Sequence, residues 1–134
     1  MTKHTGTAPF VFAHRDDLHT LPAGMLAHEV DLHGGFAADK RDGFGQIYYG
    51  MPGGGILRID ADLRQQHLIP LPDRLKPLNF HSTKLGQIDG VWRLFMPANS
   101  DELVAVLSLD GALEFVLSRP EFEQYLAAEV PFKP

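Results

Sequence analysis

The chain has 134 residues, of which 44% are hydrophobic and 22% charged, an ordinary composition for one folded domain. It contains no cysteine, which excludes disulfides, thiolate metal sites and cysteine nucleophiles. The net charge is -5 and the 12 lysines and arginines are scattered, so we expect no nucleic acid partner. No apolar run reaches the roughly 18 residues of a membrane span and the start lacks a signal-peptide core, which predicts a cytoplasmic protein with no membrane partner.

In chain order, residues 1–31 are predicted to form N-terminal strands that make a partial repeat. Phe10-Val11-Phe12 is an apolar stretch, a turn follows near Asp16-Asp17, and a second stretch runs from Leu18 to Pro22. This pattern is a weaker form of two fuller repeats at residues 32–79 and 80–120. Together with a tail at 121–134, these segments are predicted to form a single domain over residues 1–134.

The two full repeats share one order of features. The first runs from His33 to Pro72 and the second from His81 to Pro120. In each, an Asp-Gly pair, an apolar stretch ending in Met-Pro and another ending in aspartate follow the histidine. Matched positions lie 45 to 50 residues apart, so insertions fall between the periodic stretches. Such spacing is typical of a repeated structural unit with variable loops.

Each repeat is predicted to contain four antiparallel strands. Apolar residues alternate with period two, so Tyr49 and Met51 share one face, as do their counterparts Leu94 and Met96. Frequent glycine and proline turn signals favour an all-β fold. Two tight turns are expected at Asp89-Gly90 and Asp110-Gly111. The alternation predicts that both repeats bury equivalent faces.

The tail carries the one helix signal in the sequence. Ser118 to Glu121 is compatible with a capping box, and Phe122 and Tyr125 would lie on one side of the helix that follows. We therefore predict a short C-terminal helix that ends before Pro131.

Four-stranded units of this length resemble the blades of a β-propeller. Leu32 to Phe36, followed by Asp42-Gly43 and Gln46 to Tyr49, is similar to the opening of NHL-type and streptogramin-lyase-like blades. Phe80-His81-Ser82, followed by Asp89 to Trp92, matches the same pattern. The resemblance covers residues 32–120 and implies two blades, or about two and a half with the partial repeat.

Such propellers usually close with six or seven blades in one chain, and two blades cannot close a ring. The resemblance therefore implies that the protein's partner is another copy of itself, in a cyclic homo-oligomer. A trimer is favoured because three chains of two blades give six. The alternative is that all the strands form a single closed antiparallel β-barrel or a β-sandwich.

His33 and His81 occupy equivalent positions and are the candidate site residues. The entry to the first strand of a unit lies at the same end as the hairpin between its second and third strands, so both histidines are expected there. In the resembled lyases, histidines near the channel mouth assist catalysis with a divalent cation, which makes His33 and His81 candidate catalytic residues. Ordering of the turns between blades by hydrogen bonds is the alternative role. No metal ligand set and no cofactor are otherwise predicted.

Four further residues are candidates for ligand binding. Arg74 and Lys76 precede His81 and are placed to meet an anionic ligand, although solvated linker charges explain them equally well. Trp92 and Tyr48 are strand aromatics that either face a ligand or pack in the core. Asp39, like the other turn carboxylates, is predicted to be solvated.

Three functions remain open from the sequence, and enzymatic activity is left undecided. The first is an oligomeric binding module that recognises a small molecule, a carbohydrate or a protein at the loop face carrying His33 and His81. The second is a metal-assisted lyase or hydrolase of the streptogramin-lyase or gluconolactonase-like type. The third is a small β-barrel that carries a hydrophobic ligand.

Overall fold

A computed structural model describes residues 3–18, 21–25, 27, 34–41, 43 and 45–118. Within these ranges the chain is all-β, with ten antiparallel strands in three sheets. The predicted C-terminal helix and His33 lie outside the described residues.

The first sheet contains the described strands of repeat 1. Its strands are β3 (Phe36–Ala38), β4 (Ile47–Met51), β5 (Gly55–Ile59) and β6 (Gln66–Ile69). They lie in the order β3-β4-β5-β6, so each strand pairs with its neighbour in the chain. The predicted division of the repeat into four antiparallel strands is confirmed.

The second sheet has the same topology in repeat 2. Its strands are β7 (Lys84–Ile88), β8 (Val91–Ala98), β9 (Leu103–Leu107) and β10 (Leu113–Ser118). A two-residue turn joins β7 to β8, with Asp89 at φ 50° and Gly90 at φ 76°. These two positive φ angles are those of the type I′ hairpin turn that an Asp-Gly pair favours. The expected turn is confirmed.

The two sheets pack against each other through one core. The first sheet contributes Ala37, Tyr48, Ile56 and Ile69. The second sheet contributes Leu94, Met96, Ala98, Ala105 and Leu107, and the connection between the sheets adds Leu71, Leu75 and Phe80. Between the sheets, the most extensive strand contact joins their first strands, β3 and β7.

The opposite face of the first sheet is also covered. Tyr49, Met51 and Leu57 form a second core with Met25, and Leu21 packs against it. The first sheet is therefore a middle layer between the second sheet and the segment around residues 21–25. Burial of both faces explains why four of the five β4 residues are buried.

Equivalent residues of the two repeats point in the same direction. Met96 faces the first sheet, where a Cβ atom on Gly50 would lie 2.5 Å from its Cε atom. Its counterpart Met51 points away from the second sheet, toward Met25. Two sheets related by a two-fold axis would bring the methionines face to face, so the repeats are stacked head to tail. The predicted equivalent faces are both buried, but against different partners.

The N-terminal hairpin consists of β1 (His4–Thr7) and β2 (Phe10–Ala13). Its register pairs Thr7 with Phe10 and Thr5 with Phe12. All residues of both strands are exposed. The partial repeat was predicted to have strands on either side of Asp16-Asp17; among the described residues, those aspartates instead start a 3-10 turn after the hairpin.

Two sequence expectations are wrong. The ten strands of the described ranges form three small sheets and no closed barrel, so the barrel alternative fails. The apolar stretch of repeat 2 was expected to continue to Leu109, but β9 ends at Leu107. The reason is local: the N–H of Gly111 donates to the Ser108 carbonyl at 3.0 Å, which turns the chain there.

Candidate functional site

His81 lies at the end of the molecule where the sequence placed it. Its backbone N–H donates to the carbonyl oxygen of Pro97 at 3.1 Å. At the corresponding hairpin of the first sheet, the N–H of Gly53 donates to the carbonyl oxygen of Lys76 at 3.1 Å. We call this the hairpin end. It brings His81 and the connection carrying Arg74 and Lys76 to the same end of the two sheets.

The side chains at the hairpin end are accessible. His81, Arg74 and Lys76 are all exposed. The ammonium group of Lys76 lies 2.6 Å from the carboxylate of Asp73 and donates a hydrogen bond to it. That hydrogen bond holds the pKa of Asp73 below its ordinary value. Lys76 is therefore partly neutralised by its neighbour.

Trp92 and Tyr48 lie at the opposite end of the sheets. Trp92 follows the Asp89-Gly90 turn directly, and Tyr48 is the second residue of β4, four positions before Pro52. The candidate ligand residues therefore do not form a single site. A period of two tells which face of a strand a residue occupies, but not its position along the strand direction.

A cation–π contact joins the two sheets at this opposite end, which we call the turn end. The guanidinium carbon of Arg41 lies 5.3 Å from the centroid of the Trp92 ring. Arg41 also donates from Nε to the Asp39 carboxylate at 2.9 Å, and from Nη2 at 2.5 Å. This side-chain hydrogen bonding holds the pKa of Asp39 below its ordinary value, although burial acts in the opposite sense.

Asp39 is 8% exposed, so its prediction as a solvated turn carboxylate is wrong. The sequence carries no signal for its partnership with Arg41 over Trp92, since the aromatic residue is 51 positions further on. The contact depends on how the sheets stack, and alternation within one strand does not report it.

Tyr48 is packed between the sheets rather than open to solvent. It is 3% exposed, and its hydroxyl hydrogen-bonds the side-chain oxygen of Gln46 at 3.1 Å. Burial raises its pKa, and the negative charge of Asp39 adds to that effect. The cross-strand neighbour of Tyr48 is Arg58, whose Nε atom is buried and finds no acceptor among the described residues. The core alternative for Tyr48 therefore describes its surroundings.

One shallow depression lies away from all of the predicted residues. Its volume is about 290 Å³, and Leu21, Pro22 and the segment 64–67 line it. The Nε2 atom of His67 is 3.3 Å from the Asp60 carboxylate, and the amide group of Gln66 donates to the Leu18 carbonyl at 3.0 Å. These contacts fix the segment 15–18 against β6.

Within the described ranges, no three histidine or carboxylate side chains are grouped so that they could hold a metal ion. His33 lies outside those ranges, so the expected pairing of His33 with His81 stays a prediction. Among the described residues, no helix is long and apolar enough to cross a membrane. The chain has no significant match to a protein-family model, a curated protein or a solved structure.

Proposed function

We propose that this protein is the subunit of a β-propeller-like binding module that assembles with copies of itself. The observation that carries the proposal is the head-to-tail stacking of the two repeats, in which Met96 faces the first sheet and Met51 points away from the second. Head-to-tail contacts do not saturate within a pair, so they continue until a ring closes or a filament forms. The close approach of β3 and β7 resembles the inner strands of neighbouring propeller blades.

The surface left for the next contact is the outer face of the second sheet. Phe95, Val106 and Phe115 form a row across β8, β9 and β10, because Val106 pairs with both phenylalanines. Val106 is fully buried between them, while Phe115 is 37% exposed. The corresponding face of the first sheet is the one covered by the second sheet. Continuing the same stacking covers this outer face with a second copy, and three copies give six sheets.

Light scattering on the pure protein tests the assembly. We expect the mass of an oligomer, with a trimer as the simplest ring. Phe115→Glu should reduce the mass to that of a monomer, since it places a charge on the outer face of β10. The matched control is Val116→Glu, because Val116 is also 37% exposed but lies on the other face of the same strand. A monomeric wild-type protein, or an equal response to both variants, contradicts the proposal.

For the ligand, we propose the hairpin end as the binding face. Its support is the joint placement of His81, Arg74 and Lys76, which gives exposed donors suited to an anionic small molecule or a sugar acid. Calorimetric titration with glucuronate and with inorganic phosphate tests it. The double variant Arg74→Ala/Lys76→Ala should weaken binding by about tenfold. Lys84→Ala, which removes an exposed cation from β7, is the control; unchanged affinity in the double variant removes this binding face.

The lyase hypothesis rests on the pair His33 and His81, of which the structure describes only His81. It remains a prediction from the sequence. The carrier hypothesis required a closed barrel and is not proposed.

A further inference from the structure

The N-terminal hairpin exposes more large apolar surface than any other element among the described residues. Phe10 is 71% exposed, Val11 56% and Phe12 63%. A two-stranded hairpin without a covering layer is marginally stable in water, and clustered exposed apolar residues mark interaction surfaces. These side chains therefore need a partner that the described part of the chain does not supply.

The stacking direction indicates which surface that partner is. When copies follow one another head to tail, the outer face of one copy's second sheet meets the N-terminal side of the next copy's first sheet. That side carries the segment around residues 21–25, and the hydrogen bond from Gln66 to Leu18 holds the base of the hairpin beside it. The hairpin therefore extends from the side of the molecule that the next copy's outer face approaches.

The two apolar surfaces match in shape. Phe10 and Phe12 lie on one face of β2, roughly 7 Å apart along the strand. Phe95 and Phe115 lie about 10 Å apart across two strand spacings, with Val106 between them. Rings with these spacings can interdigitate, and aromatic pairs of this kind contribute about 0.5–1.5 kcal/mol each beyond the area that they bury.

We propose that the N-terminal hairpin of one copy packs through Phe10 and Phe12 on the outer face of the second sheet of the next copy, against Phe95 and Phe115. The inference rests on the proposed self-assembly and names the two surfaces that form its contact. The hairpin is then the element that joins neighbouring copies, and it becomes buried only in the assembly.

Disulfide cross-linking tests this contact, because the chain has no native cysteine to interfere. Two single variants, Phe12→Cys and Phe115→Cys, are mixed under native conditions and oxidised. A disulfide requires Cα atoms within about 7 Å, so the mixed cross-linked dimer should form at least about tenfold more than in control mixtures. The controls exchange one partner for a residue on the other face of the same strand: Val11→Cys with Phe115→Cys, and Phe12→Cys with Val116→Cys.

The outcomes separate the two proposals when the mass of each unoxidised mixture is measured by light scattering. An oligomer with the mixed cross-link supports both. An oligomer in which the mixed dimer does not exceed the controls, or in which Phe12→Cys links mainly to itself, overturns the hairpin contact and leaves the self-assembly standing. A wild-type protein that is monomeric at the same concentration overturns the self-assembly itself.

The double variant Phe10→Ser/Phe12→Ser gives an independent measurement. Both side chains are exposed in a single copy, so folding should be retained, as circular dichroism and thermal unfolding would show. The mass should fall to that of a monomer. Val11→Ser, on the opposite face of the same strand, should leave the oligomer intact. A double variant that keeps the wild-type mass contradicts the contact.

Discussion

The two four-stranded sheets share one strand order and differ in what covers them. The first sheet is buried on both faces, by the second sheet and by the segment around residues 21–25. The second sheet is covered by the first on one face and presents Phe115 and its row on the other. A repeat therefore specifies the pairing within a sheet, whereas its place in the stack decides which faces become core.

The largest expected effect breaks this comparison at its equivalent methionines. Met51 and Met96 are both fully buried, and replacing either with alanine should cost about 2–5 kcal/mol in the free energy of unfolding. The sites should respond differently. Met96→Ala should increase hydrogen exchange at the Gly50 amide, where the two sheets meet, and Met51→Ala should increase it near Met25. Denaturant unfolding and exchange measured by NMR check this; identical exchange patterns would show that the two cores are not separate.

A buried polar contact between the sheets should have the next largest effect. Thr83 is 1% exposed, and its hydroxyl accepts a hydrogen bond from the Gly50 N–H at 2.9 Å. Thr83→Val keeps the shape but leaves that N–H without an acceptor, which should cost about 1–3 kcal/mol. Thr83→Ser retains the hydroxyl and serves as the control. A valine variant as stable as the wild type would mean that the amide finds another acceptor.

The smallest effect concerns the contact of Arg41 with Asp39 and Trp92. The pKa of Asp39 is lowered in the folded state, so its stabilisation is present above the unfolded value of about 3.9 and is lost as pH falls through the folded pKa. Arg41→Ala should therefore cost about 1 kcal/mol at neutral pH, since the pair is partly exposed. The difference from wild type should shrink between about pH 4 and pH 2.

Urea unfolding across this pH range measures that change. The difference that remains at the lowest pH reports the stacking of Arg41 on Trp92, which does not depend on Asp39. Arg64→Ala, the loss of an exposed cation elsewhere, is the control and should show little pH dependence of this kind. A constant difference at all pH values would show that Asp39 does not contribute through its charge.

The sequence predicted most of what is local to a strand or a turn. Alternation identified the strands of both repeats, and the Asp89-Gly90 pair identified a two-residue turn, because side-chain direction and positive φ depend on neighbouring residues. The distribution of the candidate site was not predictable in the same way. Trp92 and His81 lie at opposite ends because strand length and turn position separate them.

Contacts between sheets were beyond the reach of the pattern. The partnership of Arg41 with Trp92 and the burial of Asp39 depend on the stacking direction, for which a single sequence has no periodic signal. The hairpin over residues 4–13 was also missed in part. Its first strand, His-Thr-Gly-Thr, is polar and contains a glycine, so hydrophobic alternation does not reveal it.

The meander order of both sheets has a consequence for how the chain folds. Every ladder in the described ranges joins strands adjacent in sequence, so each pairing closes a loop of only a few residues. Folding rates fall as contacts become more distant in sequence, and this topology keeps backbone contacts local for an all-β protein. Each sheet can form as its own nucleus, and docking of the two sheets through Gly50 and Met96 is then the slow, long-range step.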